Sequence, residues 1–423
     1  MSIDKQKKSA MLGFLLHLHP KMVNEQSLKY SRTFGLGGMS ALLFFILAFT
    51  GLLLRFSYVP TPENAYDSII AMQSQSIFGG LIRNIHHWSA MLMIITVFLH
   101  LIRVFYSQSI YYERKRNWYY GLILFSIVLA FNFTGYLLPW DQLSFWAVSI
   151  MTNIVEYIPF IGHGLANLIR GGETVTGNTL LNFYNFHTAL FPLLFIGFMM
   201  MHFWLIRKAK GVTIADNTET KMVNTHPELI YKEAVVALVL ITSILLFSMF
   251  FDAPLLDKAN PMISPNPSKA PWYFMGIQEL LINLHPIMVS LIIPIMLVSF
   301  FILIPNVKID KQKVGTWFYS KTGKQITLTS SIIAVLLSFA LILIFEITAH
   351  LNSLDLPLFV STGVIPFALY IIPVLAFLFY LSKIRKANTI ELIIAIMSMI
   401  LSSYLLMSFV GVFLRSEGMH LIF

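Results

Sequence analysis

The chain has 423 residues, of which 57% are apolar and only 12% charged, with a mean hydropathy of +0.74. This balance excludes a string of soluble domains and points to an integral membrane protein. Inside lipid only helices or closed barrels satisfy the backbone, and the length of the apolar runs selects helices. With no cysteine anywhere, disulfides, iron–sulfur ligation by this chain and thioether attachment of a haem are excluded, so any redox group must hang from His or Met.

At the N-terminus Lys5, Lys7 and Lys8 precede a short apolar run from Ala10 to Leu16. That run is too short for a secretory signal and has no small-residue cleavage site, so a short amphipathic helix on the membrane surface is expected. Runs of about 18 or more apolar residues then mark spans, nine of them, near 34–54, 79–104, 118–138, 180–206, 233–251, 286–305, 328–349, 359–381 and 390–413. Of the 29 Lys and Arg, 23 fall on the side that holds the N-terminus, and six (Arg55, Arg83, Arg170, Lys258, Lys269 and Arg415) fall on the other. The asymmetry places the N-terminus in the cytoplasm or its equivalent and the C-terminus opposite. The net charge of +9 is thus a topology signal, and no nucleic-acid partner is expected. On the outer side the connections after spans one and seven read as short, whereas 139–179 and 252–285 are long and rich in Pro, Trp and Gly, a pattern usually tied to function.

Four histidines fall inside predicted spans: His86 and His100 on span two, His187 and His202 on span four. An imidazole in hydrocarbon needs a partner. The separations of 14 and 15 residues correspond to about 21 and 22 Å of helix rise, so two parallel neighbouring spans would set His86 against His187 and His100 against His202. Two bis-His sites stacked across a bilayer suit two haem b groups. Zinc is the weaker alternative because it prefers four ligands, and a proton relay would not require matched spacing. Gly37 and Gly51 on span one and Gly121 and Gly135 on span three repeat the 14-residue interval. They either serve ordinary small-residue packing or let a flat macrocycle approach the backbone. Arg83 and Arg103 flank the histidines of span two and are placed to neutralise propionates or to anchor the helix ends.

At this point the sequence resembles the cytochrome b family of quinol-oxidising respiratory and photosynthetic complexes. The resemblance lies in Arg83-Asn84-Ile85-His86-His87-Trp88-Ser89-Ala90, in His100, and in Gly135-Tyr136-Leu137-Leu138-Pro139-Trp140-Asp141-Gln142. The 15-residue step from His187 to His202 and the stretch Met201-His202-Phe203-Trp204-Leu205-Ile206-Arg207-Lys208 are more similar to the plastid and cyanobacterial branch. The resemblance implies an all-α integral membrane fold, a four-helix haem-binding bundle plus about five further transmembrane helices. The expected divisions are 1–32 (cytoplasmic segment with the amphipathic helix), 33–210 (di-haem bundle), 211–350 (quinol-site helices and loop) and 351–423 (two additional helices).

The resemblance also implies a low-potential haem b on His86 and His187, and a high-potential one on His100 and His202. Quinol would be oxidised on the outer side, between 139–179 and 252–285. One electron would go to a Rieske iron–sulfur protein and on to a c-type cytochrome, the other through both haems to a quinone on the cytoplasmic side, coupled to proton translocation and within a homodimer of complexes. Tyr136, Pro139, Trp140, Asp141, Phe145, Pro271, Trp272 and Tyr273 are the expected outer-pocket residues. The family's Pro-Glu-Trp-Tyr reads Ala270-Pro271-Trp272-Tyr273 here, so its glutamate is missing. Glu279 is the first replacement as proton acceptor, followed by Asp141, Asp252 and His285. Gly35 stands where the plastid branch has the cysteine of an extra haem, so no covalent haem is expected, and Glu25, Arg207 and Lys208 are the expected groups beside a cytoplasmic quinone. The rival readings are a di-haem anchor serving a peripheral dehydrogenase, a haem-free transporter or proton channel, and an assembly subunit that has lost activity.

Overall fold

The computed structural model describes residues 21–209, 211–213, 221–348 and 356–422; the expected surface helix near Ala10–Leu16 lies outside them. The apolar runs become helices because nothing else closes their backbone hydrogen bonds in lipid. Among the described residues nine helices are long and apolar enough to cross a membrane, one for each expected span. Their regular α-helical parts are α1 (Leu36–Arg55), α3 (Gly79–Tyr106), α4 (Lys115–Leu137), α7 (Gly177–Asn185) continuing into α8 (Phe191–Lys208), α9 (Ile230–Phe250), α11 (Ile293–Leu303, within the span Met288–Asn306), α12 (Lys321–Thr348), α13 (Ile365–Lys383) and α14 (Thr389–Phe413). Several outrun their apolar stretch because Lys, Thr and Asn carry the helix into the interface. At the start of α14, Asn388 accepts from Glu391 N while Glu391 reaches back to Asn388 N, a closed capping box.

The outer connections are more helical than the sequence suggested. The expected short link after span one holds α2 (Ala65–Gln75), and the stretch 139–179 folds into α5 (Gln142–Val155) and α6 (Gly162–Arg170) before α7 begins. The stretch 252–285 ends in α10 (Met275–Asn283). Arg170, buried to 1% exposure, locks α5 to α6: its guanidinium donates to Thr152 Oγ1 at 2.8 Å, Glu156 Oε1 at 2.6 Å and Glu173 O at 2.7 Å. Among the described residues a short sheet departs from the all-helical expectation. Strand β1 (Met22–Asn24) pairs antiparallel with β2 (Met222–Asn224), Val23 opposite Val223, and ties the chain before span one to the connection after span four. Three-residue strands are too short to show a period.

Inside the spans, π-turns at Phe186–Leu190, Met288–Ile292 and Val360–Val364 share one cause. Each lies two residues before a proline: Pro192, Pro294 and Pro366. Proline lacks the N–H for the helical ladder and its ring crowds the carbonyl four residues back, so the turn before it opens. One freed carbonyl is reused: Thr362 O accepts from His285 N at 2.8 Å. The main core lies within α1, α3, α4 and α8, where Leu43, Phe44, Met93, Ile94, Leu124, Val128, Phe195 and Met199 pack together, and α9 adds Leu240 and Ile244. Midway along this bundle Phe44 stacks on Phe195 with ring centres 4.4 Å apart.

Candidate functional site

The four intramembrane histidines form two facing pairs, one on each side of that aromatic layer. His86 of α3 faces His187 of the first π-turn with ring centres 6.2 Å apart, and His100 of α3 faces His202 of α8 at 6.5 Å. The π-turn explains how unequal spacings reach equal levels. Fourteen residues of regular helix turn a side chain to within about 40° of its start, whereas fifteen overshoot by about 60°. The wide turn around His187 takes up the extra residue.

Hydrogen bonds set the tautomers of the outer pair. His187 Nδ1 lies 3.0 Å from Phe131 O, and a carbonyl can only accept, so Nδ1 carries the proton. Thr50 sends its hydroxyl proton to Ile46 O at 2.7 Å, so the 2.9 Å contact between Thr50 Oγ1 and His86 Nδ1 has the imidazole as donor. Each ring is left with a bare Nε2, the nitrogen that binds metal when Nδ1–H is held by an outer partner.

Two imidazole nitrogens each about 2 Å from a metal, with each ring centre about 1 Å further out, set ring centres about 6 Å apart. Both pairs match that span, which suits a bis-imidazole haem. Zinc lacks its ligands here: among the described residues no cluster of three or more His, Cys, Asp or Glu can hold a metal.

The glycines sit at the same two levels, and the structure shows what they make room for. A Cβ on Gly51 would stand 3.1 Å from His86 Cε1, and one on Gly135 2.6 Å from His187 Cε1; the inner equivalents are 3.3 Å for Gly37 to His100 and 3.6 Å for Gly121 to His202. The group that approaches each glycine is thus the edge of the imidazole at its own level, so the missing side chains make room for the four histidine rings. Arg83 and Arg103 are both buried. Arg83 donates to Ala253 O at 2.7 Å and Pro254 O at 2.6 Å, pinning the connection after span five, and Arg103 donates to Arg32 O at 2.8 Å. Arg207 and Lys208 are exposed at the far end of α8, where Lys208 Nζ lies 5.3 Å from the Trp204 ring centre.

On the side of the bundle that holds the His86–His187 pair, a cavity of about 260 Å³ is lined by Leu129, Ala130 and Phe133 of α4, Met151, Thr152 and Val155 of α5, Ile169 of α6, and Phe274. A smaller one of about 20 Å³ adjoins it at Met151, between Ala147 and Ile150 of α5 and Ser268, Ala270, Gln278 and Leu281. Both are apolar hollows between the two long connections, the setting expected of a lipophilic ligand. Phe274 lines the larger hollow, and its neighbour Tyr273 is buried in the core of the bundle. The Tyr273 hydroxyl is buried with no hydrogen-bond partner among the described residues, and burial, reinforced by Tyr136, pushes its phenol above the usual tyrosine range. Trp272 is partly exposed, its indole N–H pointing at Met91 Sδ at 3.3 Å.

Other expected pocket residues support the walls. Trp140 is buried against Phe145 with ring centres 5.5 Å apart and adopts a left-handed φ of 52°; Pro139 precedes it at the end of α4. Asp141 caps α5, accepting from Ser144 N at 2.9 Å and from Leu256 N at 3.3 Å, so it is a helix cap and not an open base. Asp252 accepts from Asn84 Nδ2 at 2.9 Å, and His285 is wedged against Phe359 and Tyr157.

The assignment of Glu279 as proton acceptor is corrected by its surroundings. It is 1% exposed, both carboxylate oxygens bind Arg415, and Asn283 Nδ2 donates to it at 3.1 Å. Gln278 and Leu281 of the same helix line the small cavity, while Glu279 faces α14. The sequence reading did not single out Thr50, Met151, Phe274, Gln278 or Arg415, which the structure sets against His86, the two hollows and Glu279. Thr50 and Phe274 adjoin motif residues and were open to detection by adjacency; the others carry no local signal.

Comparison with known proteins matches residues 22–210 to the family model Cytochrome b/b6/petB. The chain is 42% identical over 173 residues to a cytochrome b6 of Prochlorococcus marinus (strain NATL1A), covering 41% of this chain and 79% of that protein. To the cytochrome b6 of Heliobacterium modesticaldum (strain ATCC 51547 / Ice1) it is 43% identical over 172 residues, covering 41% of this chain and 81% of that protein. Among solved structures, a chain of a hyperthermophilic respiratory Complex III shares the fold with a TM-score of 0.66 at 20% identity, over 97% of this chain and 99% of that one.

Proposed function

The chain belongs to the cytochrome b family, and on that premise we propose that it is the di-haem subunit of a quinol-oxidising membrane complex. The observation that carries the proposal is the pair of histidine couples at 6.2 and 6.5 Å on two levels of one bundle. His86 and His187 would hold the lower-potential haem b, His100 and His202 the higher-potential one, both non-covalently. When bound, these groups supply one-electron transfer from the outer to the cytoplasmic side of the membrane.

The chain's own residues do the rest. Thr50 and the Phe131 carbonyl hold the outer imidazoles in their ligand tautomer. The apolar lining of the hollows beside Met151 and Phe274 offers an apolar quinol ring a surface to lie against. The unpartnered Tyr273 hydroxyl, kept neutral by burial, donates a hydrogen bond to a quinol or quinone oxygen, with Tyr136 beside it. Arg207 and Lys208 serve a quinone on the opposite side, which the charge asymmetry makes cytoplasmic together with the N-terminus. The partners on this reading are a Rieske iron–sulfur protein and a c-type cytochrome, in a homodimer of complexes that translocates protons. The division at 33–210, 211–350 and 351–423 follows the same reading.

The test is a reduced-minus-oxidised spectrum of the purified complex with pyridine haemochrome quantitation and redox titration, followed by a quinol oxidation assay. Two non-covalent haems b per chain, titrating as two components, are expected. One haem or none would overturn the proposal in favour of a transporter or an inactive subunit.

A further inference from the structure

The last span, α14, is attached along the whole segment that borders the small outer cavity. Gly418 N donates to Asn266 Oδ1 at 2.6 Å, Lys269 Nζ donates to Val412 O at 3.1 Å, and the Tyr404 hydroxyl donates to the Tyr273 carbonyl. A Cβ on Gly276 would stand 2.7 Å from the Tyr404 ring, and one on Gly411 2.8 Å from Met275 Cε. At the end of this seam Arg415 is bidentate on Glu279, with both side chains wholly buried. Its other nitrogen donates to Glu346 of α12 at 2.6 Å and to Met419 O at 2.9 Å. Residues 268, 270, 278 and 281 of the attached segment line the cavity, so α10 presents Gln278 and Leu281 to the hollow and Glu279 to α14.

We infer that Arg415 is a positioning residue of the outer quinol site: through Glu279 it fixes the rotation and depth of α10, and so the placement of Tyr273, Gln278 and Leu281. This inference rests on the quinol site proposed above. A buried ion pair adds little stability over apolar packing of the same volume, but a bidentate guanidinium–carboxylate pair holds one geometry. Two carboxylates from two helices converging on one guanidinium, at a segment whose next turn borders the cavity, are an arrangement for holding position. The ninth span therefore belongs to the site.

The experiment uses the purified haem-loaded complex with a short-chain ubiquinol or menaquinol, whichever the wild type oxidises. Arg415→Met, Glu279→Met, the double variant and Tyr404→Phe are compared for kcat, KM, haem b content and haem reduction by quinol from the cytoplasmic side. Arg415→Met is expected to keep both haems and the cytoplasmic-side reaction, and to lose about tenfold or more in kcat with KM within about twofold. The double variant, which leaves no lone buried charge, recovers part of that loss, and Tyr404→Phe loses about threefold. Wild-type kcat in Arg415→Met overturns the inference. So does a fall in haem content and cytoplasmic-side reaction in step with kcat, which marks a purely structural role. If Arg415→Met does not assemble, unchanged kcat in Tyr404→Phe overturns it instead. A wild-type complex that carries two haems but oxidises no quinol overturns the site reading itself, a distinct result.

Discussion

Gly135 and His187 meet so closely that a methyl group at Gly135 would lie 2.6 Å from Cε1 of the imidazole, whereas the same construction at Gly121 leaves 3.6 Å to His202. The first distance is a clash and the second an ordinary contact, although the two glycines occupy equivalent places on one helix. The outer histidine pair is therefore built with less tolerance than the inner one.

Gly135→Ala is accordingly expected to displace the His187 ring and remove the outer haem, so that haem b per chain falls to about half and one component of the redox titration disappears. Gly121→Ala should keep both haems with little spectral change. Pyridine haemochrome and the redox titration read both variants, and equal behaviour of the two would refute the asymmetry.

Thr50 orients His86 by accepting from its Nδ1 at 2.9 Å. A hydrogen bond of that kind makes the imidazole more electron-rich and favours the oxidised metal. Thr50→Val should raise the midpoint of one haem by an amount on the order of tens of millivolts and leave the other unmoved. A potentiometric titration in which both components or neither shifts would contradict this.

The π-turn at Phe186–Leu190 predicts that one residue can be removed there without loss of the site. Deletion of Ala189 together with Pro192→Ala should let the turn close into regular helix, with both haems retained. Deleting one residue of α3 between His86 and His100, where no wide turn takes up a change in count, rotates one histidine by about 100° and should cost a haem. The two deletions are compared by reduced-minus-oxidised spectra.

Tyr273 sets an alkaline limit. Burial first, and Tyr136 second, push its phenol above the usual range, so the fold favours the protonated form. That contribution to stability is present in full below the unfolded-state value near 10 and is lost as pH rises through the higher folded-state value. Subtracting Tyr273→Phe from wild type in a titration at 295 nm should show no tyrosinate from this residue at pH 10 to 10.5 while the complex is folded. Tyr273→Phe should also lower quinol oxidation severalfold at pH 8 with haem content intact. A native tyrosinate signal near pH 10 would refute the environment described.

The motifs before residue 210 were readable because each is local. Long apolar runs marked nine spans, and the near-equal intervals of the histidines and glycines marked two levels along the bundle, since helix rise converts residue count directly into height. The family resemblance rested on the same residues. Beyond them the reading weakened for identifiable reasons. Asp141 and Glu279 are carboxylates near aromatic motifs, and chemical type alone could not tell a helix cap and an ion-pair partner from a base. The short strands Met22–Asn24 and Met222–Asn224 exist only because two distant segments meet.

By itself the sequence determined the membrane class, the count of the spans and the two levels at which the histidines pair, because hydropathy and helical rise are properties of one segment at a time. Tertiary structure alone decided which face of α10 borders the cavity, that the glycines receive imidazole edges, and that Arg415, just past the end of the last span, reaches Glu279 from 136 residues away. Those outcomes depend on side chains from separate helices filling one space and satisfying each other's charge, and no interval along the chain encodes that.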